Sequence, residues 1–463
     1  MFRPRTGGAR RVVVSMVLAL TLAGFTDSAS AAESPEPAAA SAAPPAGRSW
    51  FTSWAQSQQG LAPRSLTDQS VRMITHLSQG GDALRIRVQN TFGTAPLTVD
   101  AVTVGRGGEG AALVGAAVPV TFQGRRAITV PAGGEVWSDA ARLLTRPQQN
   151  VAVSMFAPGP VVPGHHATGL RDNYLTPVRS GDHTDDRSGA PYTETVNSTL
   201  LVSAVDVRNP ALKGTVVPYG SSVVDGVGST NCGPGCTETG TNQRWTDVLA
   251  RRITQELPPG RQLAVANAGI SGTTSSDACP GTPGELAGLD GAARLERDVL
   301  ALHGVTGVLY YYGTNDLANG CTAAAILTSY DTVFQRLRRA GIAVYVTPIT
   351  PRGSYTDQHN LDRHAVNTVV RQGNNCSGRC DGVIDFDQVL KDPLQPDRLR
   401  LDYDTGDGIH ANIAGQRAIA DHVPLAMLTR DRGHGVPGQG VPGRGVPGRG
   451  VPGRGVPGQG FPD

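Results

Sequence analysis

Charged residues are scarce in this 463-residue chain, because Asp, Glu, Lys and Arg together make up only 17% of it. That scarcity argues against a coiled coil or a long charged helix. Lysine occurs twice, as Lys213 and Lys391, so arginine supplies nearly all the positive charge. The formal net charge is +2, and residues 1–31 contribute +3 through four arginines and one aspartate, which leaves −1 for the remainder. No basic surface for nucleic acid or an anionic membrane is therefore expected.

Long apolar runs are missing after the N-terminal segment. The one pronounced run, residues 12–25, has 14 residues and is too short to span a bilayer comfortably. Arg10 and Arg11 precede this run, and the small residues Ala29-Ser30-Ala31 follow it, as in a secretory signal peptide. We predict a signal peptide, a secreted protein and no integral membrane segment in the mature chain. A retained anchor helix is the alternative.

Cysteine is infrequent but even in number, at six residues. In an exported chain an even number of cysteines predicts disulfides, although sequence alone leaves the pairing open. Two pairs that are close in sequence, Cys232 with Cys236 and Cys376 with Cys380, suggest disulfides that close short loops. Cys279 and Cys321 then remain to pair with each other. Zinc is the competing interpretation, but paired histidines are missing near the cysteines. The adjacent His165 and His166 also lack an evident third ligand, so we expect no metal.

Composition divides the chain into five segments. A signal peptide over residues 1–31 is followed by a flexible Ala/Pro-rich leader over residues 32–48. Residues 49–205 alternate short strands with Gly, Pro and Asn turns, which predicts an all-β sandwich. Residues 206–432 alternate apolar strands with helical stretches, which predicts a parallel sheet with helices on both faces. Residues 433–463 repeat Val-Pro-Gly-x-Gly and resemble elastin, so we expect a mobile tail that contacts cell wall or matrix, or a dispensable extension.

The strand and helix patterns are specific enough to give element bounds. In the first region we predict strands at residues 84–88, 97–99, 127–130 and 151–155. In the second region we predict strands at residues 215–219, 263–266, 305–311 and 342–347, helices at residues 245–257, 323–340 and 415–427, and a mixed helical stretch at residues 286–302.

Polar residues follow three of the strands in the second region, and ligands bind at the carboxyl ends of parallel strands. These residue types suit nucleophilic acyl transfer. Ser222 would be the nucleophile, which needs a base such as His410, and Asp407 lies close enough in sequence to orient that imidazole. A tetrahedral oxyanion also needs donors, for which the N–H groups of Ser222 and Gly272 and the amide of Asn315 are candidates.

The segments Gly220-Ser221-Ser222, Asn267 to Gly272, Gly313 to Asp316 and Asp407 to His410 resemble, in order, the four sequence blocks of the SGNH, or GDSL-type, hydrolases. Residues 50–205 are similar to the β-sandwich domain that precedes the hydrolase domain in secreted actinobacterial members. The resemblance implies an α/β fold with a three-layer, flavodoxin-like hydrolase domain. The sequence itself gives no sign of a cofactor. The resemblance also implies a catalytic triad of Ser222, His410 and Asp407. It further implies an oxyanion hole formed by Ser222, Gly272 and Asn315.

One position departs from the family, which usually has Gly-Asp-Ser in the first block. Here Ser221 replaces the aspartate, which is not a triad member, so we expect activity to survive. Ser221 is the alternative nucleophile, and Asp402 and Asp404 compete with Asp407 for the acid role. Three other polar residues are interpreted as structural, holding loops by hydrogen bonds: Asp225, Asn267 and Asp316.

The sequence therefore predicts a secreted serine esterase or lipase that cleaves carboxylic esters through an acyl-enzyme. Its substrate would be a small-molecule, lipid or polysaccharide ester. The alternatives are a polysaccharide O-acetyl esterase and a non-catalytic surface or glycan-binding protein with a degenerate hydrolase domain. The α/β-hydrolase class is disfavoured, because its Gly-x-Ser-x-Gly pentapeptide is missing.

Overall fold

A computed structural model describes residues 49–430 of the chain. The predicted signal peptide, leader and Val-Pro-Gly-x-Gly tail lie outside these residues. Within them, no helix is both long enough and apolar enough to cross a bilayer.

The strands before residue 210 pair with one another in antiparallel fashion. The two largest sheets have the strand orders β1-β15-β4-β9 and β13-β12-β3-β10-β6-β7 in the numbering that follows. The strands are β1 (Trp50–Ala55), β2 (Gly60–Leu61), β3 (Gln69–His76), β4 (Leu84–Gln89), β5 (Leu97–Val99), β6 (Ala101–Gly107), β7 (Leu113–Pro119), β8 (Ile128–Val130), β9 (Glu135–Trp137), β10 (Asn150–Ala157), β11 (Gly164–His166), β12 (Asn173–Leu175), β13 (Glu194–Val196), β14 (Thr199–Leu200) and β15 (Val202–Arg208).

One hydrophobic cluster is shared by these two sheets. It takes Ile86 and Val205 from the first sheet and Met73, Val104 and Val153 from the second, and all five are fully buried. Such a core follows from the strand repeat of two, which sends every second side chain to the same face. The four strands predicted in this region are present, with ends within two residues of the predicted ones.

Parallel strands begin after Arg208. Five of the described strands form a parallel sheet in the order β19-β16-β21-β22-β23, and β20 also pairs with β16. Two further strands, β17 and β18, form an antiparallel hairpin. Their bounds are β16 (Gly214–Gly220), β17 (Asn231–Gly233), β18 (Cys236–Thr237), β19 (Leu263–Val265), β20 (Ala268–Gly269), β21 (Val305–Tyr311), β22 (Ala343–Val346) and β23 (Gly382–Val383).

Helices pack against both faces of the parallel sheet. Val308 and Tyr310 of β21 belong to a hydrophobic cluster with helix residues on one face of the sheet. Leu309, between them, belongs to a second cluster with Trp245 and Ile419 on the other face. The helices are α1 (Ser222–Asp225), α2 (Trp245–Glu256), α3 (Thr314–Ala318), α4 (Ala323–Arg339), α5 (Asp357–Arg371), α6 (Phe386–Leu390), α7 (Ile413–His422) and α8 (Leu425–Leu428).

Two predicted helical segments differ from the structure. The mixed helical stretch expected over residues 286–302 is helical only in part, with a 3-10 turn (Gly284–Leu286) and a π-helical turn (Glu296–Leu300). Gly288 lies between them with a φ of +73°, a left-handed conformation that interrupts a right-handed helix. The helix expected over residues 415–427 is divided into α7 and α8 at Pro424, because proline excludes the preceding residue from helical conformation.

Strand β1 joins the antiparallel region to the amino-terminal edge of the parallel sheet. The Thr52 N–H donates to the carbonyl oxygen of His303 at 3.1 Å, and the Thr215 hydroxyl donates to the carbonyl oxygen of Thr52 at 3.3 Å. The imidazole Nδ1 of His303 also lies 2.8 Å from a carboxylate oxygen of Asp206 on β15, and both side chains are buried. The two regions are therefore linked by hydrogen bonds and by a buried contact between His303 and Asp206.

Three disulfides connect the cysteine pairs that the sequence spacing suggested: Cys232–Cys236, Cys279–Cys321 and Cys376–Cys380. The described part of the chain contains no free cysteine. The second of these bonds ties the loop after β20 to the segment after α3.

Candidate active site

Ser222 occupies the turn between strand β16 and helix α1. It is the first residue of that helix, so its N–H has no acceptor within the helix. The residue is 7% exposed, and Gly226 ends the helix in a left-handed conformation. The abrupt change from strand to helix places the hydroxyl and the N–H of Ser222 at the carboxyl edge of the parallel sheet.

His410 and Asp407 reach this edge on the loop before α7. The His410 Nε2 lies 2.8 Å from the Ser222 hydroxyl oxygen, and its Nδ1 lies 2.6 Å from Oδ2 of Asp407. The three residues thus form a continuous hydrogen-bonded series, with the imidazole in the middle. This is the arrangement in which a histidine can accept a proton from a serine while a carboxylate stabilises the resulting cation.

The carboxylate of Asp407 is held in its ionised form. Burial acts to raise the pKa of Asp407, but the His410 ring and the N–H groups of His410 and Ile409 donate hydrogen bonds and lower the pKa overall. Both of those N–H groups donate to Oδ1, at 2.9 and 2.8 Å, which leaves Oδ2 for the imidazole. The charge of Asp407 is therefore available to the histidine.

Gly272 lies on the loop after β20, and Asn315 lies in helix α3 after β21; both of these strands pair with β16. The φ of Gly272 is +83°, which favours glycine because a Cβ would strain this conformation. The Asn315 amide Nδ2 donates one hydrogen bond to the Thr273 carbonyl oxygen at 3.0 Å, so its second N–H remains for another acceptor. The three neighbouring strand ends thereby bring together the three segments that the sequence singled out.

A buried arginine, Arg294, fixes two of these strand ends. Its guanidinium donates to the carbonyl oxygens of Gly220 at 2.9 Å and Ala268 at 2.8 Å, and it forms a salt bridge with Asp298 at 3.0 Å. Gly220 ends strand β16 before Ser222, and Ala268 begins strand β20, which leads to Gly272. Arg294 therefore holds the backbone that leads to Ser222 and the backbone that leads to Gly272.

The three polar residues interpreted as structural do hold loops by hydrogen bonds. Asn267 donates to the Val224 carbonyl oxygen at 2.6 Å, and a carboxylate oxygen of Asp225 accepts from the Ser271 hydroxyl at 2.6 Å. Asp316 accepts from the Gly313 N–H at 3.1 Å and from the Ser275 N–H. Each therefore connects segments that follow different strands.

The alternative residues for the triad point elsewhere. The Ser221 hydroxyl is buried and has no hydrogen-bond partner among residues 49–430. Asp404 accepts from the N–H groups of Gly406 and Gly408 at 2.9 and 3.0 Å, and Asp402 forms a salt bridge with Arg400 at 2.7 Å. Neither acid contacts the imidazole of His410, so the geometry favours Ser222 and Asp407.

Arg352 is a site residue that sequence reasoning missed. It lies on the loop after β22, and its Nη1 is 3.4 Å from the amide oxygen of Asn315. The same loop is joined to the loop that carries His410, because the Gly353 N–H donates to the carbonyl oxygen of Gly408 at 2.8 Å. The position of Arg352 in the chain could have indicated it, because this loop follows the carboxyl end of a further parallel strand.

Two clusters of cysteine and acidic side chains have the spacing of metal ligands within the described residues: Cys232, Cys236 and Glu238, and Cys279, Asp316 and Cys321. In both clusters the two cysteines are joined in a disulfide, which removes the thiolates that would bind a metal ion. The adjacent histidines do not form a metal site together, because both ring nitrogens of His166 lie within hydrogen-bond distance of protein oxygens.

Residues 219–418 match the model of the GDSL-like lipase/acylhydrolase family. No curated protein shows a significant match. Among solved structures, a GDSL-like lipase from Bacteroides thetaiotaomicron is 16% identical with a TM-score of 0.33, over 47% of this chain and 88% of that one. An aryl esterase from M. smegmatis is 17% identical with a TM-score of 0.34, over 45% of this chain and 95% of that one. A carbohydrate acetylesterase from Sinorhizobium meliloti is 16% identical with a TM-score of 0.33, over 45% of this chain and 95% of that one.

Proposed function

Residues 219–418 form a domain of the GDSL-like lipase/acylhydrolase family, and we propose that this domain is a serine esterase that uses Ser222, His410 and Asp407. The observation that carries the proposal is the position of the His410 imidazole, whose two nitrogens face the Ser222 hydroxyl and the Asp407 carboxylate at 2.8 and 2.6 Å. A serine hydroxyl is a weak nucleophile until a base of this kind accepts its proton.

The reaction follows from these contacts. Ser222 Oγ attacks the ester carbonyl carbon while its proton moves to Nε2 of His410, and the Asp407 carboxylate stabilises the imidazolium. The tetrahedral oxyanion is stabilised by the N–H groups of Ser222 and Gly272 and by the Asn315 amide. His410 then protonates the leaving alcohol, and an acyl-enzyme remains on Ser222. A water molecule, deprotonated by His410, attacks this ester and releases the acid.

Paired serine variants test the proposal. Ser222→Ala should lower kcat for p-nitrophenyl esters by about 10⁴-fold or more, since the nucleophile is lost. Ser221→Ala is the matched control, because it removes the neighbouring buried hydroxyl, which has no described partner, and it should keep kcat within a few-fold. A fluorophosphonate probe should label the wild-type protein and Ser221→Ala but not Ser222→Ala. A folded wild-type protein that neither reacts with the probe nor hydrolyses any ester would favour the non-catalytic binding protein.

The chain length of the acyl group would decide the substrate class. We propose a broad esterase or lipase, and p-nitrophenyl esters from acetyl to palmitoyl measure this preference directly. Rates that increase with chain length would support a lipid ester, and phospholipids would be tested next. Activity confined to the acetyl ester would instead indicate a polysaccharide O-acetyl esterase.

Domain organisation and location complete the proposal. We propose a β-sandwich domain over residues 49–205 and a three-layer hydrolase domain over residues 206–432, supported by the antiparallel and parallel sheets found in these regions. Secretion is supported by the signal-peptide pattern of residues 1–31 and by the three disulfides, which form in oxidising compartments. Mass spectrometry of protein recovered from the culture medium would test secretion. The expected result is a mature N-terminus near Ala32.

A further inference from the structure

A buried histidine of the antiparallel region contacts the catalytic segments of the parallel region. His166 ends strand β11, which pairs with β14 and β2. Its Nδ1 lies 2.8 Å from the carbonyl oxygen of Ser57, and its Nε2 lies 3.0 Å from Oδ1 of Asp225. The exposed fractions of the His166 and Asp225 side chains are 1% and 2%. This contact is therefore buried at the interface between the two regions.

Asp225 connects this histidine to two parts of the candidate site. It is the last residue of helix α1, which begins with Ser222. Its second carboxylate oxygen accepts a hydrogen bond at 2.6 Å from Ser271, the residue before the oxyanion donor Gly272. One carboxylate thus links the nucleophile helix, the oxyanion loop and the antiparallel region.

The helix and the oxyanion loop are also packed closely against each other. A Cβ added to Gly269 on β20 would come within 2.2 Å of the Asp225 backbone nitrogen, so the backbones meet where only glycine fits. A displacement of Asp225 would consequently move both Ser222 and the segment that carries Gly272.

The hydrogen-bond geometry also determines the charge of the pair. The Ser57 carbonyl oxygen can only accept, so Nδ1 of His166 carries a proton. Burial acts to raise the pKa of Asp225, but His166, the nearby Arg244 and the Ser271 hydroxyl lower it overall. Burial and the nearby Arg244 act to lower the pKa of His166. The charge of Asp225, together with the hydrogen bonds from His166 to Asp225 and to the Ser57 carbonyl oxygen, raises the pKa of His166 overall. Both shifts of pKa favour the charged forms of the two side chains.

We propose that His166 is a positioning residue for the esterase site, and that the antiparallel region completes this site by holding Asp225. The inference rests on the proposed function, because it assigns His166 a role in the arrangement of Ser222 and Gly272. It gives the region before residue 206 a task in catalysis that needs no contact with substrate.

The test compares His166→Gln with His303→Gln. Both histidines are buried, face an aspartate and join the two regions, but His303 lies beside Thr215 at the opposite end of β16. The length of that strand, about 20 Å at ~3.3 Å per residue, separates His303 from Ser222. We expect His166→Gln to lower kcat about 10- to 100-fold while KM changes less than about threefold, since small displacements of reacting groups have effects of this size. His303→Gln should lower the melting temperature and leave kcat within about twofold.

Equal losses of kcat in both variants, or an unchanged kcat in His166→Gln, would overturn the proposal. If His166→Gln does not fold, Ser271→Ala removes the hydrogen bond to Asp225 from the other side. That variant should lower kcat at an unchanged melting temperature, and a normal kcat would overturn the proposal equally. Fluorophosphonate labelling separates the two hypotheses. An unlabelled wild-type protein contradicts the esterase function, whereas equal labelling rates in the wild type and His166→Gln contradict only the role of His166.

Discussion

The guanidinium Nη1 of Arg352 lies 3.4 Å from the amide oxygen of Asn315. The amide nitrogen of Asn315 donates to the Thr273 carbonyl oxygen on the other side, at 3.0 Å. Since a guanidinium can only donate, it fixes the oxygen of the amide toward Arg352 and the nitrogen toward the site. Arg352 thereby orients the amide of Asn315, a proposed oxyanion donor.

Replacement of Arg352 should therefore slow the chemical step. We expect Arg352→Met to lower kcat by about tenfold, a fraction of the loss caused by removal of a whole oxyanion donor. Arg352→Lys should recover only part of this loss, because lysine lacks the planar donor group. Steady-state kinetics with p-nitrophenyl butyrate would measure both variants. The control is Arg400→Met, which removes an exposed arginine that pairs with Asp402. A loss of similar size in that control would show that Arg352 has no specific effect.

The acid of the triad can be identified from two asparagine variants. Asp407→Asn should lower kcat by about 10³- to 10⁴-fold, because an amide neither stabilises the imidazolium nor enforces the tautomer of His410. Asp404→Asn should change kcat by less than about fivefold, since an amide oxygen still accepts from the N–H groups of Gly406 and Gly408, as the carboxylate does. Thermal unfolding would show that both variants are folded. The assignment of Asp407 is wrong if Asp404→Asn causes the greater loss.

The raised pKa of Asp316 predicts that the stability of the folded protein depends on pH. Burial raises the pKa of Asp316 from 3.8 to about 6, despite the hydrogen bonds from Ser275 and Gly313. The folded state therefore binds this proton more tightly than the unfolded state. The stabilisation is complete below pH 3.8, decreases as pH increases, and is lost above pH 6. Its full size is about 3 kcal/mol, from ~1.4 kcal/mol for each pKa unit.

Urea unfolding of the wild type and Asp316→Asn at pH 4 to 7 would measure this effect. Asparagine does not titrate, so the difference in unfolding free energy, wild type minus variant, should fall by about 2 to 3 kcal/mol over this range. Other titrating groups cancel in the difference. Parallel curves for the two proteins would mean that Asp316 has the same pKa in the folded and unfolded states.

Regular elements with strong local patterns were predictable. The strand Val305–Tyr311 has the predicted bounds, and helices α2 and α4 end within one residue of the predicted ends. Helix α5 (Asp357–Arg371) was missed, because its buried face includes Arg363 and Asn367 beside only two valines and gives little apolar periodicity. Its clearest signal is local, since the Thr356 hydroxyl accepts from the His359 N–H at the helix start.

The sequence by itself determined which chemistry is available and where it is placed along the chain. A serine, a glycine and an asparagine each follow an apolar strand, and the carboxyl ends of neighbouring parallel strands share one edge. Their positions along the chain therefore bring Ser222, Gly272 and Asn315 together, and the spacing of Asp407 and His410 puts both on one loop. Local periodicity and strand order suffice for these conclusions because each element carries its own signal.

Only the tertiary structure decided which alternatives make contact. It turned Ser222 and not Ser221 toward His410, set Asp407 and not Asp404 against the imidazole, and joined His166 to Asp225 across 59 residues of sequence. Such contacts depend on how separate sheets and loops pack, and neighbouring residues of the same type give identical patterns before packing. Burial then sets the charges, since a carboxylate away from water is stabilised or protonated according to the partners that packing provides.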